Sequence, residues 1–288
     1  MTAAKLGGFA LVLAVAFAGA YGVGQAVGPV ESAAPEAPTE SAGHGHGGAD
    51  EPAGHAELLP AGLRVTADGY TLDVVDPRGF AFRILDDQGD PVTRFTRSHD
   101  KLMHLIVARR DLSGFRHVHP EMSADGTWRV PLDLRAAGDH RVFADFVPAG
   151  RSKSVTLGAD VPVPGVYQPV PLPPPALTAS VDGYRVTLSG HLDPGTTSRL
   201  TLTVDRGGVP VTDLQPYLGA YGHLVALRQG DLAYLHVHPG ENASPGPSIT
   251  FDTEVPTTGT YRLYLDFKHG DVVRTAEFTA VAESHEEK

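Results

Sequence analysis

From residue 58 onward, apolar and polar residues alternate in short runs rich in Val, Leu, Thr, Tyr and Phe, and clusters of Gly, Asp and Pro interrupt them about every 8 to 12 residues. Period-two alternation marks a strand with one face buried, whereas a helix repeats its apolar positions every three to four residues. The runs predicted as strands are 63–65, 70–75, 80–85, 102–109, 115–119, 127–132 and 141–146, each with a counterpart further along the chain. The one long apolar stretch without such alternation is LGGFALVLAVAFAGAYGV, residues 6–23.

The counterparts belong to a duplication. Residues 91–120 (PVTRFTRSHDKLMHLIVARRDLSGFRHVHP) align without a gap on 210–239 (PVTDLQPYLGAYGHLVALRQGDLAYLHVHP), with 10 of 30 positions identical. The repeat extends outward, Asp68-Gly69-Tyr70 matching Asp182-Gly183-Tyr184 and HRVFADF (140–146) matching YRLYLDF (261–267), so whole domains of about 100 residues are repeated. Units of that size bury their own core without cross-links. The fold class is therefore all-β: two tandem antiparallel β-sandwiches, immunoglobulin-like or cupredoxin-like in general shape, after an N-terminal signal or transmembrane helix.

Residues 1–30 carry Lys5 and no other charge before Glu31, which reads as a signal anchor or transmembrane segment. Ala18-Gly19-Ala20 offers a cleavage site, but the uncharged stretch runs past it and favours a retained anchor. Residues 31–57 are Ala, Pro, Glu, Ser and Gly with little to bury, a disordered tether containing His44, His46 and His55 as loose metal ligands. Sandwich repeats follow over 58–161 and 176–282, separated by a Pro-rich linker at 162–175 that is expected to hold them apart as a polyproline spacer, and residues 283–288 form an acidic tail.

Composition removes several functions. Cysteine is absent, which excludes disulfides, thiolate metal sites, cysteine nucleophiles and blue-copper electron transfer. A net charge of -11 argues against nucleic-acid binding, which needs clustered Lys and Arg. No nucleophile elbow, phosphate loop or dinucleotide fingerprint occurs, so no catalytic residue is assigned and the chain is not expected to be an enzyme.

Both repeats keep three histidines: His104, His117 and His119 in the first, His223, His236 and His238 in the second. His117 and His119 are two apart on a strand and project from one face. A hairpin turning at residues 110–114 places His104 opposite His119, where facing Cβ atoms lie about 4.5–5.5 Å apart, so three rings converge; a slip of one residue would send His104 to the other face. Pro120 and Pro239 should end the strand pair near a sheet end. Imidazoles without thiolate suit Cu(II) or Zn(II), and the affinity order favours copper. With so few methionines a Met-rich Cu(I) site is not expected.

Asp145 and Asp266 match across the repeats, as do Arg109 and Arg228. They are expected to form a structural Arg–Asp ion pair in each repeat, the alternative being that each Asp is a fourth ligand or fixes a ring tautomer. His99, Met103 and Met122 lie near the first cluster only, and His99 and Met103 are auxiliary ligand candidates. The competing reading of each trio is structural, with ring nitrogens bonding backbone at a tight corner; a pH-responsive role is a third.

The segments HLIVARRDLSGFRHVHP (104–120) and GHLVALRQGDLAYLHVHP (222–239) resemble those of exported, membrane-anchored bacterial proteins, many from actinobacteria, related in shape to YtkA-like and cupredoxin-like β-sandwiches. That resemblance implies copper handling at the cell envelope for some members. The expected function is an extracytoplasmic, membrane-tethered protein that binds or buffers a transition metal, one three-His site per repeat, with the metal ion, the membrane and an envelope protein as partners. The alternative is an envelope interaction module whose histidines are internal struts.

Overall fold

The computed structural model describes residues 59–77, 79–235, 237–240 and 244–284, with only the backbone of 238 and 239. The apolar segment, the tether with His44, His46 and His55, residue His236, the side chain of His238 and residues 285–288 lie outside the described residues. Among the described residues no helix is long and apolar enough to cross a membrane.

Two all-β repeats are present. The first comprises β1 (Thr66–Ala67), β2 (Tyr70–Asp76), β3 (Ala81–Leu85), β4 (Phe95–Thr96), β5 (His104–Arg109), β6 (Arg116–Val118), β7 (Glu121–Met122), β8 (Trp128–Arg129), β9 (Gly138–Pro148) and β10 (Val155–Val163). The second comprises β11 (Thr178–Val181), β12 (Tyr184–Ser189), β13 (Thr197–Arg206), β14 (Val209–Pro210), β15 (Gly222–Arg228), β16 (Tyr234–Leu235), β17 (Val237–Pro239), β18 (Ser248–Glu254), β19 (Gly259–His269) and β20 (Val272–Ala282). Each repeat stacks two antiparallel sheets: β1-β2-β3-β8-β7 on β10-β9-β5-β6 in the first, β11-β12-β13-β18-β17 on β16-β15-β19-β20 in the second.

The opening hairpin of each repeat turns on Asp-Gly. Asp68 and Gly69 (φ 54° and 82°), like Asp182 and Gly183 (φ 48° and 81°), take left-handed conformations between the directly paired residues Ala67↔Tyr70 and Val181↔Tyr184. This is the two-residue turn whose twist matches that of the strands. It pulls the first strand to Thr66–Ala67 and not to the expected 63–65, and the run expected over 127–132 pairs only at Trp128–Arg129.

Strand β5 is buried along its whole length and β15 up to its last residue, Arg228, because both faces are covered. Leu105 and Val107 point into the first sandwich with Trp128 and Phe146, and Leu224 and Ala226 into the second with Phe251 and Leu263. The opposite faces meet each other: Ile106, Ala108, Phe115 and Phe143 pack against Val225, Leu227, Leu232 and Tyr264 in a third cluster that joins the repeats. Phe115 stacks on Tyr264 at 4.0 Å, and its counterpart Tyr234 lies against Phe143, the counterpart of Tyr264, at 5.6 Å. Residues i and j of one repeat thus meet j and i of the other, the pattern of a two-fold interface closed within a single chain.

The polyproline segment consequently does not hold the repeats apart. It lies on the first repeat, where Val170 N–H donates to Asp111 (2.7 Å) and Arg109 sits over the Tyr167 ring, and Leu172 packs on the joining cluster.

Candidate metal centre

The β5–β6 ladder pairs Leu105↔Val118 and Ile106↔His117. One step further puts His104 opposite His119, the register the spacing predicted, and all three imidazoles stand on the face turned toward the second repeat. Their nearest ring nitrogens lie within 4.8 Å of one another.

The hydrogen bonds around these rings decide which nitrogens face inward. His104 Nε2 is 2.9 Å from the Ser98 carbonyl, so that nitrogen carries a hydrogen and donates it. His117 Nδ1 is 3.0 Å from Oδ2 of Asp266, so it also donates. Between these ends His104 Nδ1 and His117 Nε2 face each other at 3.1 Å. Oxygen acceptors close both ends, so in the neutral rings two lone pairs face each other, an arrangement that a metal ion or a shared proton between the inner nitrogens would satisfy. Two nitrogens about 2.05 Å from one ion lie about 2.9 Å apart at a right angle and about 3.3 Å apart at the tetrahedral angle, so the observed gap fits shared coordination. His119 Nε2 is buried with no hydrogen-bond partner among the described residues. Its ring centroid is 5.0 Å from that of His104 and 4.8 Å from that of His117, separations that imidazoles around one ion can have.

Asp266 comes from β19 of the second repeat. Its carboxylate is buried and accepts from Thr275 Oγ1 (2.6 Å) as well as from His117. The expected Arg–Asp ion pairs do not form: Arg109 bonds Asp111 two residues away at 2.6 Å, and Arg228 bonds Asp231. A carboxylate one turn along the same loop reaches each guanidinium without crossing the sheet, which frees Asp266 to fix the His117 tautomer. Asp145, directly across from His104 in the β5–β9 ladder, is half-buried, and its Oδ1 is shielded from solvent with no hydrogen-bond partner among the described residues.

His223 repeats the arrangement of His104. Its Nε2 donates to the Tyr217 carbonyl at 2.7 Å, Tyr217 being the counterpart of Ser98, which leaves Nδ1 without a hydrogen. Its ring is 6.0 Å from His117 and 5.4 Å from His99. His99, His104, His117, Asp145 and His223 line one cavity of ≈ 530 Å³. Met103 is not at this cavity: it is 1% exposed in the core of the first sandwich, because it sits one residue before His104 and so points to the other face. Met122 packs on that same core.

Burial sets the protonation of the rings. Desolvation lowers the pKa of His104 to about 4, helped by the neighbouring imidazoles of His117, His223 and His99 and opposed by the bond to Ser98. It likewise lowers His223 to about 4 and takes His119 well below the usual imidazole range. These rings are neutral at pH 7, the form that binds metal. Desolvation raises Asp145 to about 6, with the His117 ring and Thr156 pulling the other way.

A family profile described as a domain of unknown function (DUF8832) matches residues 58–163 and again 179–284. The chain belongs to this family. Two DUF8832 domains in tandem agree with the duplication, whereas a YtkA-like membership receives no support. No curated protein matches the chain. Among solved structures it is similar to a DUF4426 family protein from Pseudomonas aeruginosa PAO1, at 10% identity and TM-score 0.28 over 38% of this chain and 98% of that one. It is also similar to the S-layer protein rSbsC(31-844), at 9% identity and TM-score 0.25 over 78% and 28%, and to invasin, a bacterial integrin-binding protein, at 15% and 0.20 over 77% and 38%. Likenesses this distant do not bear on function.

Sequence reasoning missed the contributions of Ser98, Tyr217 and Thr275, the first two acting through backbone oxygens that no motif encodes. It also missed that Asp266 serves the other repeat. A signal for that was present: HLIVAR and GHLVALR are apolar without alternation, as strands covered on both faces are.

Proposed function

We propose that this chain is an extracytoplasmic, membrane-tethered protein that binds or buffers a transition-metal ion through His104, His117 and His119. The observation that carries the reading is the pair of inner nitrogens 3.1 Å apart, each turned inward because the other nitrogen of its ring is held by an oxygen. An ion there satisfies both lone pairs, while Ser98 and Asp266 hold the outer nitrogens of the two rings. Three imidazoles without thiolate suit Cu(II) or Zn(II), with copper favoured by the affinity order. His223 copies one part of this arrangement, its bond to Tyr217 matching that of His104 to Ser98, but Val237–Pro239 pair with β18 and not with β15, so the proposal rests on the first trio alone. Placement outside the cytoplasm rests on the apolar leader, and the tether histidines would serve as loose collectors.

The competing reading keeps the same bonds and puts a proton where the ion would be, making the rings struts of an envelope interaction module. Calorimetry separates the two when run on the full chain with His44, His46 and His55 replaced by alanine. The metal reading requires Cu(II) or Zn(II) to bind at neutral pH and the repeat-1 equivalent to vanish in His117→Ala. No binding, with a large loss of stability in His117→Ala, establishes the struts.

A further inference from the structure

His99 is not explained by the three-histidine cluster. It occupies the turn before β5 with Asp100, both in the left-handed region (φ 46° and 60°), between the bridged residues Ser98 and Lys101. The second repeat makes the same turn with Leu218 and Gly219 (φ 53° and 75°) between Tyr217 and Ala220. The turn therefore does not need an imidazole, and the backbone would be as content with leucine.

The two turns face each other at the mouth of the cavity: a Cβ added to Gly219 would come 3.2 Å from Oδ2 of Asp100. His99 is exposed there, while His223 behind it is only 8% exposed. Their ring centroids are 5.4 Å apart and His99 is 6.1 Å from His104. A metal-bound imidazole has its centroid about 3.2 Å from the ion, so two rings sharing one ion have centroids about 4.5 Å apart at a right angle and about 6.4 Å apart in a line. Both separations fall within that range. His223 also has Nδ1 open, since Nε2 is engaged by Tyr217. Asp100 adds an exposed carboxylate at the mouth, which attracts cations.

We propose that His99 and His223, one from each repeat, form a two-imidazole transfer station that captures a Cu(II)- or Zn(II)-type cation from solvent and hands it to the buried trio by way of His104. The inference rests on the three-histidine reading and adds a route to it. A buried site gains or loses its ion only by exchanging ligands one at a time, and an imidazole within reach of both water and His104 lowers the barrier to that exchange. A residue that acts only on the barrier changes loading and release by the same factor and leaves the equilibrium alone.

The test is His99→Leu, which installs the residue that the second repeat carries on the same turn, in the full chain with the tether histidines replaced. Stopped-flow mixing with Cu(II) reads loading, a chelator chase reads release, and an equilibrium titration reads affinity. The expected result is that both rates fall together by about tenfold or more, the equivalent of about 1.4 kcal/mol of barrier, with affinity and melting temperature unchanged. Wild-type rates overturn the proposal. Faster release with weaker affinity also overturns it, by making His99 a resident ligand. Failure of the parent protein to take up Cu(II) at equilibrium is a different result, which removes the three-histidine reading and the station with it.

Discussion

Asp266 offers the sharpest perturbation of the account, because it touches the proposed ion only through His117 and belongs to the other repeat. Replacing it with alanine removes the acceptor for His117 Nδ1 (3.0 Å) and for the Thr275 hydroxyl (2.6 Å) in a place shielded from water. Each donor left unpaired costs about 1–3 kcal/mol of stability. Loss of a carboxylate that orients a ligating imidazole typically weakens metal binding by about 10- to 100-fold, or about 1.4–2.8 kcal/mol. Asp266→Asn separates the two effects. The amide keeps the shape and one acceptor oxygen, and Thr275 can reverse its hydroxyl to accept from the NH2, so most stability is retained. The negative charge behind the ligating ring is lost, so affinity falls, though less than in Asp266→Ala. Competition against a chromophoric chelator gives the affinities, and denaturant unfolding of the metal-free proteins gives the stabilities. Affinities indistinguishable from wild type in both variants, with stability falling in the alanine variant, would show Asp266 to be a strut and refute the tautomer argument.

Three further outcomes follow from the same contacts. Tyr264→Phe removes a buried hydroxyl that donates to the Leu112 carbonyl across the repeats at 2.6 Å; urea unfolding should show a loss of about 1–3 kcal/mol with metal affinity unchanged. In the metal-free protein His104 and His223 have folded-state pKa values near 4, below that of the unfolded chain near 6.5. The unfolded state therefore takes up protons first, and stability should decline as pH falls through that window, by about 3 kcal/mol per ring at most; a flat profile between pH 7 and 4 contradicts the assigned burial. Asp145 has the opposite sign: its folded-state pKa near 6 lies above the unfolded value, so its contribution is full at low pH and is lost as pH rises through 6. Asp145→Asn should gain on wild type between pH 4 and pH 8 by about 2–3 kcal/mol, and a constant difference across that range argues against a buried, desolvated carboxyl.

The parts of this architecture that were legible in the amino-acid sequence are those set by local chemistry. Asp68-Gly69 and Asp182-Gly183 announce tight hairpins, and the spacing of His104, His117 and His119 fixes their common face once the hairpin register is counted. Residue types whose partners are chosen by packing were not legible. Arg109 and Asp145 match their counterparts in the second repeat as neatly as any pair would, yet the guanidinium takes the nearer Asp111 and the carboxylate is left beside the histidines. Met103 is adjacent in sequence to a ligand candidate and opposite to it in space, which period two dictates. The linker reads as a spacer by composition, but seven prolines do not prevent Val170 and Leu172 from docking on a surface that is already there. The joining face escaped notice because two half-buried strands that cover each other lose the alternation by which strands are recognised.

X-ray absorption on the protein loaded with one equivalent of Zn(II) or Cu(II), again without the tether histidines, tests the central claim most directly. The account predicts a shell of nitrogen ligands at about 2.0 Å with the multiple-scattering pattern of three imidazoles, reduced to two in His119→Ala. An ion surrounded by oxygen, or an imidazole pattern that survives replacement of His104, His117 and His119 together, contradicts it.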